Sequence, residues 1–343
     1  MDTLDRKILN RLQADIPFVA RPFAEIATAL DSSEDEVLRR VERLKKEERV
    51  IRQISAIFDT RSLGYASSLV AAAVPAASVQ HAAQVLNGHP GVSHNYERDN
   101  RFNIWFTIAV PPESSLEKTV ARLGELARVE TIRTLQTLRL FKIAVKLDVA
   151  EERAITAKDD DESPYSDEKR SAPRQLTADD RVFIREMQRD IDLVAQPFDR
   201  VADALGVSLS ALFGKAESLQ KEGVMRRFAA ILRHQKAGFV ANGMGVWKVR
   251  GAQIAEVGAK FAAYQAVSHC YERPVYADWP YAVFSMIHGK SEAAVREIAA
   301  TMSKETGVSE YDILFSTREF KKTRVQYFTD DTPNWEARFM NGP

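Results

Sequence analysis

The chain has 343 residues, long enough for two or more domains with sizeable cores. Its 48 Lys+Arg balance 48 Asp+Glu, so no global basic surface argues for nucleic acid, and its one cysteine, Cys270, excludes an internal disulfide framework or an all-cysteine metal site. No apolar run reaches the roughly 18 residues of a membrane span, and the opening MDTLDRKIL is charged where a signal peptide is apolar, so a cytoplasmic chain without a membrane partner is expected.

From the N-terminus, Leu4, Ile8 and Leu12 recur at helical spacing, and Phe23, Ile26, Ala27 and Leu30 follow on a second helix. Ser33 is placed to cap a third helix, with Glu36 at the capping-box position and Val37, Val41 and Leu44 on the buried face. Three helices closed by an apolar stretch, Val50–Phe58, read as a winged helix-turn-helix. The pattern then alternates: strand Tyr65–Val74, helix Ala77–Leu86, strands Val92–Arg98 and Phe102–Val110, helix Leu116–Ala127 and one long strand, Ile132–Leu147. That βαββαβ order is ferredoxin-like.

The second half repeats the first. VSHNYER at Val92–Arg98 returns as VSHCYER at Val267–Arg273, and the same offset pairs Arg6 with Arg181, Asp15 with Asp190, and Phe23 with Phe198. After this motif the offset grows by four residues, which places an insertion in Pro274–Pro280, and Arg139, Phe141 and Lys142 then pair with Arg318, Phe320 and Lys321. The expected class is α+β, a tandem duplication of a winged helix-turn-helix followed by a ferredoxin-like domain. The boundaries are 1–60 and 61–149 for copy one, a polar linker over 150–178, 179–234 and 235–328 for copy two, and a tail over 329–343.

The heads are poorly equipped for nucleic acid. The first recognition-helix start, Asp31-Ser32-Ser33-Glu34-Asp35-Glu36, sets carboxylates where phosphates would lie, and Arg39, Arg40, Arg43, Lys45 and Lys46 come late in that helix. The second, within Gly206–Leu219, has Lys215 as its one cation and Gly214 mid-helix. The heads are therefore expected to pack and dimerise rather than bind DNA, with operator binding as the alternative.

The chemistry is expected in the doubled motif. Alternation along a strand puts Val92, His94, Tyr96 and Arg98 on one face, and Val267, His269, Tyr271 and Arg273 likewise, an anion-binding and proton-donating surface repeated in both copies. His288 and the inserted Tyr276, Asp278, Trp279 and Tyr281 are candidates to extend it, as are Arg139 and Arg318 as carboxylate partners; ordinary packing and solvated edge charges are the alternatives. His81, His89 and His234 lack matched partners and read as surface residues, and Cys270 aligns with Asn95 and points away from His269.

The three-helix head with Leu4-Asp5-Arg6-Lys7-Ile8-Leu9 and Arg40-Val41-Glu42-Arg43-Leu44 resembles the Lrp/AsnC regulators, whose dimers pack two such sheets; here one chain carries both, an internal pseudo-dimer, with further homo-oligomerisation left open. The pairing of VSHNYER and FNIWFT with VSHCYER and DWPYAVFSMIHG resembles more specifically the siroheme decarboxylases in their fused form. The resemblance implies a carboxy-lyase that removes carbon dioxide from the ring C and D acetates of siroheme to give 12,18-didecarboxysiroheme, in heme d1 or alternative heme biosynthesis. Its partners would be siroheme and its decarboxylated products. No separate cofactor is implied, since the iron belongs to the substrate. His94 and His269 are then the expected acids. Tyr96, Arg98, Tyr271, Arg273, Trp279, His288, Arg139 and Arg318 are expected to contact substrate, and His269 and His288 (with His94) are candidate axial ligands to the substrate iron. A tetrapyrrole-responsive regulator of transcription is the competing class.

Overall fold

A computed structural model describes residues 1–143, 173–233 and 241–340. Copy one runs α1 (Thr3–Ala14), α2 (Pro22–Ala29), α3 (Glu34–Lys46), β1 (Ile51–Phe58), β2 (Ala66–Ala73), α4 (Val79–Asn87), β3 (Val92–Arg98), β4 (Ile104–Val110), α5 (Leu116–Leu126), β5 (Thr131–Leu135) and β6 (Arg139–Ile143). Copy two runs α6 (Ala178–Met187), α7 (Asp199–Leu205), α8 (Leu209–Lys221), β7 (Met225–Leu232), β8 (Ala241–Trp247), α9 (Ile254–Ala263), β9 (Val267–Glu272), β10 (Val283–Gly289), α10 (Glu292–Thr306) and β11 (Tyr311–Lys322), and α11 (Asp331–Phe339) follows. The expected single strand Ile132–Leu147 is instead two, β5 and β6, and 144–147 lie outside the described residues, as does the linker up to 172. No helix among the described residues is long and apolar enough to cross a membrane.

The chain divides by sort rather than by copy. Both heads form one unit (Met1–Tyr65, Ser171–Lys236 and Gln326–Thr329), and both sheet domains form the other.

In the head unit the two copies bind each other reciprocally. Strands β1 and β7 pair antiparallel. Asp15 accepts the amide of Phe228 at 3.1 Å, and its counterpart Asp190 accepts the amide of Ile54 at 2.9 Å. Matching capping boxes start the first helix of each head, Asp2 with Asp5 and Thr177 with Asp180. Ser33 caps α3 as expected, but the Glu36 carboxylate turns to Arg39 and Arg40 instead of completing a box. The basic residues of α3 are held in ion pairs: Arg40 with Asp2 and Asp5 at 2.6 and 2.8 Å, Arg43 with Asp5 at 2.7 Å, Lys45 with Asp190 at 2.8 Å, and Lys46 with Glu42 at 2.6 Å. Lys215 of α8 pairs with Asp180, the counterpart of Asp5.

In the sheet unit, nine strands run β5-β2-β4-β3-β11-β8-β10-β9-β6. The two end strands, β5 and β6, are consecutive in the chain, joined by residues 136–138. Each copy lends the end of its last strand to the other: β11 pairs with β8 of its own copy and then β3 of copy one, while β6 pairs with β9 of copy two. Core residues cross with the strands. Phe141 of copy one packs into the helix-covered core of copy two, and its counterpart Phe320 packs into that of copy one. Helix α11 lays Trp335, Phe339 and Met340 on the copy-one core, and Arg122 Nε donates to the Phe339 carbonyl at 2.7 Å. A third apolar cluster, with Ala71, Trp105, Val246, Trp279, Phe284 and Leu314, joins residues of both copies on the faces turned away from the helices.

Candidate active site

A β-bulge decides which way the motif faces. On β3, Val92 pairs with Ile108 and His94 with Thr107, so Ser93 is an extra residue; on β9, Val267 pairs with Ile287 and His269 with Met286, so Ser268 is its counterpart. An extra residue reverses the alternation on either side of it. Val92 and Val267 therefore enter the helix-covered cores, correcting the expectation that they share a face with the histidines. His94, Tyr96 and Arg98 do share a face, as do His269, Tyr271 and Arg273. It is the face of the mixed cluster, since Tyr96 lies opposite Trp105 and Tyr271 opposite Phe284.

Within each trio the rings line up. His94 stacks on Tyr96 at 6.2 Å between centroids and His269 on Tyr271 at 6.1 Å, while the Arg98 and Arg273 guanidiniums sit 5.8 and 4.7 Å from the respective tyrosine centroids. Both arginines are buried, which pulls each pKa down to about 10. One nitrogen of each reaches across to the other copy: Arg98 Nη1 donates to the Leu314 carbonyl at 2.6 Å, and Arg273 Nη1 to the Leu135 carbonyl. The Nε of each is buried without a hydrogen-bond partner.

The bulge serines, which the sequence reading did not single out, hold the histidines. Ser93 Oγ is 3.0 Å from His94 Nδ1 and 2.7 Å from Thr107 Oγ1. Ser268 Oγ is 2.8 Å from His269 Nδ1 and 2.5 Å from His288 Nε2, and His288 Nδ1 is 2.6 Å from Asn242 Oδ1. The doubled Ser-His dipeptide was the available signal. Both ring nitrogens of His288 are thus engaged, so ligation of iron would require breaking a hydrogen bond.

The two expected carboxylate partners lie elsewhere. Arg139 and Arg318 face Glu272 and Glu97 at 3.5 and 3.9 Å. Glu97 pairs with Ile104 and Glu272 with Val283, both helix-side core residues, so these arginines stand on the opposite face from the trios. Trp279 is buried against Phe102, Trp105 and Tyr281. Around it the insertion docks on β5 of copy one: Asp278 takes a two-pronged contact from Arg133 at 3.0 Å for each bond, and Tyr276 donates to the Thr134 carbonyl at 2.7 Å. His81 is exposed, whereas His89, expected at the surface, is fully buried, and His234 lies outside the described residues. Cys270 is buried and its thiol is pushed well up by desolvation, which suits no nucleophile.

Residues 62–142 and 236–321 match an AsnC-like ligand binding domain, and 5–52 and 180–226 match a siroheme decarboxylase NirDL-like HTH domain. The chain is 40% identical over 333 residues to the siroheme decarboxylase of Hydrogenobacter thermophilus, covering 96% of each chain. It is 41% identical over 144 residues to a siroheme decarboxylase beta subunit of Methanosarcina barkeri, which spans 42% of this chain and 95% of that one. Its fold is similar to the crystal structure of the siroheme decarboxylase NirDL in co-complex with an iron-uroporphyrin III analogue, with a TM-score of 0.79, 35% identity and coverage of 98% and 99% of the two chains.

Proposed function

The chain belongs to the siroheme decarboxylase family, and from that membership we propose that it is a carboxy-lyase converting siroheme to 12,18-didecarboxysiroheme by removing carbon dioxide from the ring C and D acetates. One observation carries the reading: a His-Tyr-Arg trio stands twice on the sheet faces turned away from the helices, each histidine held at Nδ1 by a bulge serine. Holding Nδ1 assigns proton transfer to Nε2. When the bond to the carboxylate breaks, its electron pair stays on the methylene carbon, conjugated with the macrocycle. That carbon takes one proton and becomes a methyl. His94 and His269 supply such protons. The buried Nε–H groups of Arg98 and Arg273 are donors awaiting an acceptor, which a substrate carboxylate provides. Tyr96 and Tyr271 back the histidines. Arg139 and Arg318 take no part in this reading, and the iron travels with the substrate.

The test is anaerobic incubation of purified protein with siroheme, with the product weighed by mass spectrometry. Loss of two carbon dioxide units is expected. Binding with unchanged mass would overturn the enzyme and favour a tetrapyrrole-responsive regulator.

A further inference from the structure

The indole of Trp279 is 3% exposed, and its Nε1–H is buried without a hydrogen-bond partner. Two other buried indoles of the sheet unit are satisfied: Trp105 Nε1 donates to the Phe102 carbonyl at 2.6 Å, and Trp247 Nε1 to Ser285 Oγ at 2.9 Å. Trp279 is also firmly placed. It exchanges backbone hydrogen bonds with Tyr276 at 2.8 and 3.0 Å, and Arg133 grips the neighbouring Asp278 from β5. Phe102, Trp105 and Tyr281 pack on the ring at centroid distances of 5.4, 5.2 and 4.9 Å. Buried N–H groups are normally paired, so a rigid indole with an orphaned donor marks a place for a ligand oxygen.

The charge beside the ring says which kind of oxygen. Trp279 belongs to the same mixed cluster as Leu314 and Leu135, whose carbonyls receive the Nη1 groups of Arg98 and Arg273. Phe284 of that cluster lies 6.4 Å from the Trp279 ring and 5.4 Å from the Arg273 guanidinium. Neither arginine forms an ion pair among the described residues, and the one carboxylate of the insertion, Asp278, is taken by Arg133. Two buried cations and an indole N–H therefore border one apolar cluster, and a carboxylate suits all three.

We propose that Trp279 is a specificity-determining residue whose indole N–H donates to a carboxylate that the substrate keeps through the reaction. The inference rests on the siroheme reading above and adds which kind of arm is held. A carboxylate that departs as carbon dioxide loses its charge in the transition state, so a donor fastened to it stabilises the starting state and slows the step. A donor on a retained carboxylate binds both states alike and positions the macrocycle without slowing it. The indole meets its ligand by the N–H edge, not by the ring face that the sequence suggested. Copy one has no counterpart, because its β3–β4 connection lacks the four inserted residues, so two matching trios share one such anchor.

Anaerobic titrations of the full chain with siroheme and with its didecarboxylated product test the anchor. Trp279→Phe keeps an aromatic ring and removes the N–H. It is expected to weaken both ligands alike, by about 10- to 100-fold, the worth of one hydrogen bond to a charged group, with the rate constant at saturating siroheme close to that of the parent. Parent affinity for both ligands overturns the inference. A loss confined to siroheme also overturns it, since the donor would then lie on a departing acetate. A second measurement uses the unaltered protein, labelled with 15N in its four tryptophans, and metal-free sirohydrochlorin as the ligand. The indole signal that Trp279→Phe removes is expected to move downfield on binding, as an N–H does on donating to a carboxylate. A signal that stays in place, or moves upfield as for a ring stacked under the macrocycle, overturns the inference while leaving the decarboxylase reading intact. A parent chain that neither binds nor decarboxylates siroheme overturns that reading, and the anchor with it.

Discussion

Arg98 on β3 donates its Nη1 to the carbonyl of Leu314 on β11 at 2.6 Å, so a motif side chain of copy one holds the last strand of copy two. Arg273 makes the reciprocal contact to Leu135. With the exchanged ends of β6 and β11, these contacts make the two sheet domains mutual parts of one structure. Proteolytic cleavage within 150–178 is therefore expected to leave a complex that elutes as one species at micromolar concentration. Halves that separate on the sizing column would contradict the exchange.

The exchanged phenylalanines leave little room. A Cβ at Gly258 of α9 would come within 2.3 Å of the Phe141 ring. Gly258→Ala is expected to destabilise the sheet unit by about 1–3 kcal/mol, the usual range for overpacking, measured as a fall in unfolding midpoint. Restoration by the added change Phe141→Leu would tie the effect to this contact.

His89 gives the protein an acid-sensitive element. Its Nδ1 accepts the Gly91 amide at 3.0 Å, its Nε2 has no hydrogen-bond partner, and the Trp335 ring of α11 lies 4.4 Å away, edge to face. Burial first, and the Lys321 charge second, lower its pKa to about 4. Below the ordinary value near 6.5 the unfolded chain binds a proton that the folded chain refuses, so stability falls as pH drops from about 6.5 to about 4. The whole loss is about 3 kcal/mol at 1.36 kcal/mol per pH unit. His89→Gln should flatten this limb in urea unfolding at pH 7 and pH 5; an unchanged pH slope would assign the sensitivity elsewhere.

The head ion pairs predict weak interaction with nucleic acid. Arg40, Arg43, Lys45 and Lys46 of α3 and Lys215 of α8 each face a carboxylate of the head unit, which leaves little charge for counterion release. No footprint on the promoter of the gene is expected at physiological salt. A protected, salt-resistant site would reverse this.

Among the acids, His269→Ala is expected to be more damaging than His94→Ala, because in copy two a second imidazole, His288, contacts the serine that holds the ring. The loss should fall in the 10²–10⁴-fold range of a general acid, read as the rate of carbon dioxide release. Parent rates in both variants would move the acid to the tyrosines or arginines.

By itself the sequence determined the duplication, the α+β class and the doubled motif, because repeated identities at a constant offset and hydrophobic periodicity are local properties of a chain. It also put forward His94 and His269 as the centre of a candidate site. The face each motif residue takes depended on a bulge at Ser93 and Ser268, which exists only through the register against β4 and β10. Likewise, Arg139 and Arg318 look like clamp residues in one dimension, yet pairing with β9 and β3 puts them behind the sheet with Glu272 and Glu97. His89 looks like a loop histidine until α11 folds over it. The contact of Ser268 with His288 joins residues 20 positions apart and was settled by strand pairing alone. Periodicity reports which residues are apolar neighbours along one element; register, strand exchange and burial are relations between elements, and only the folded chain fixes them.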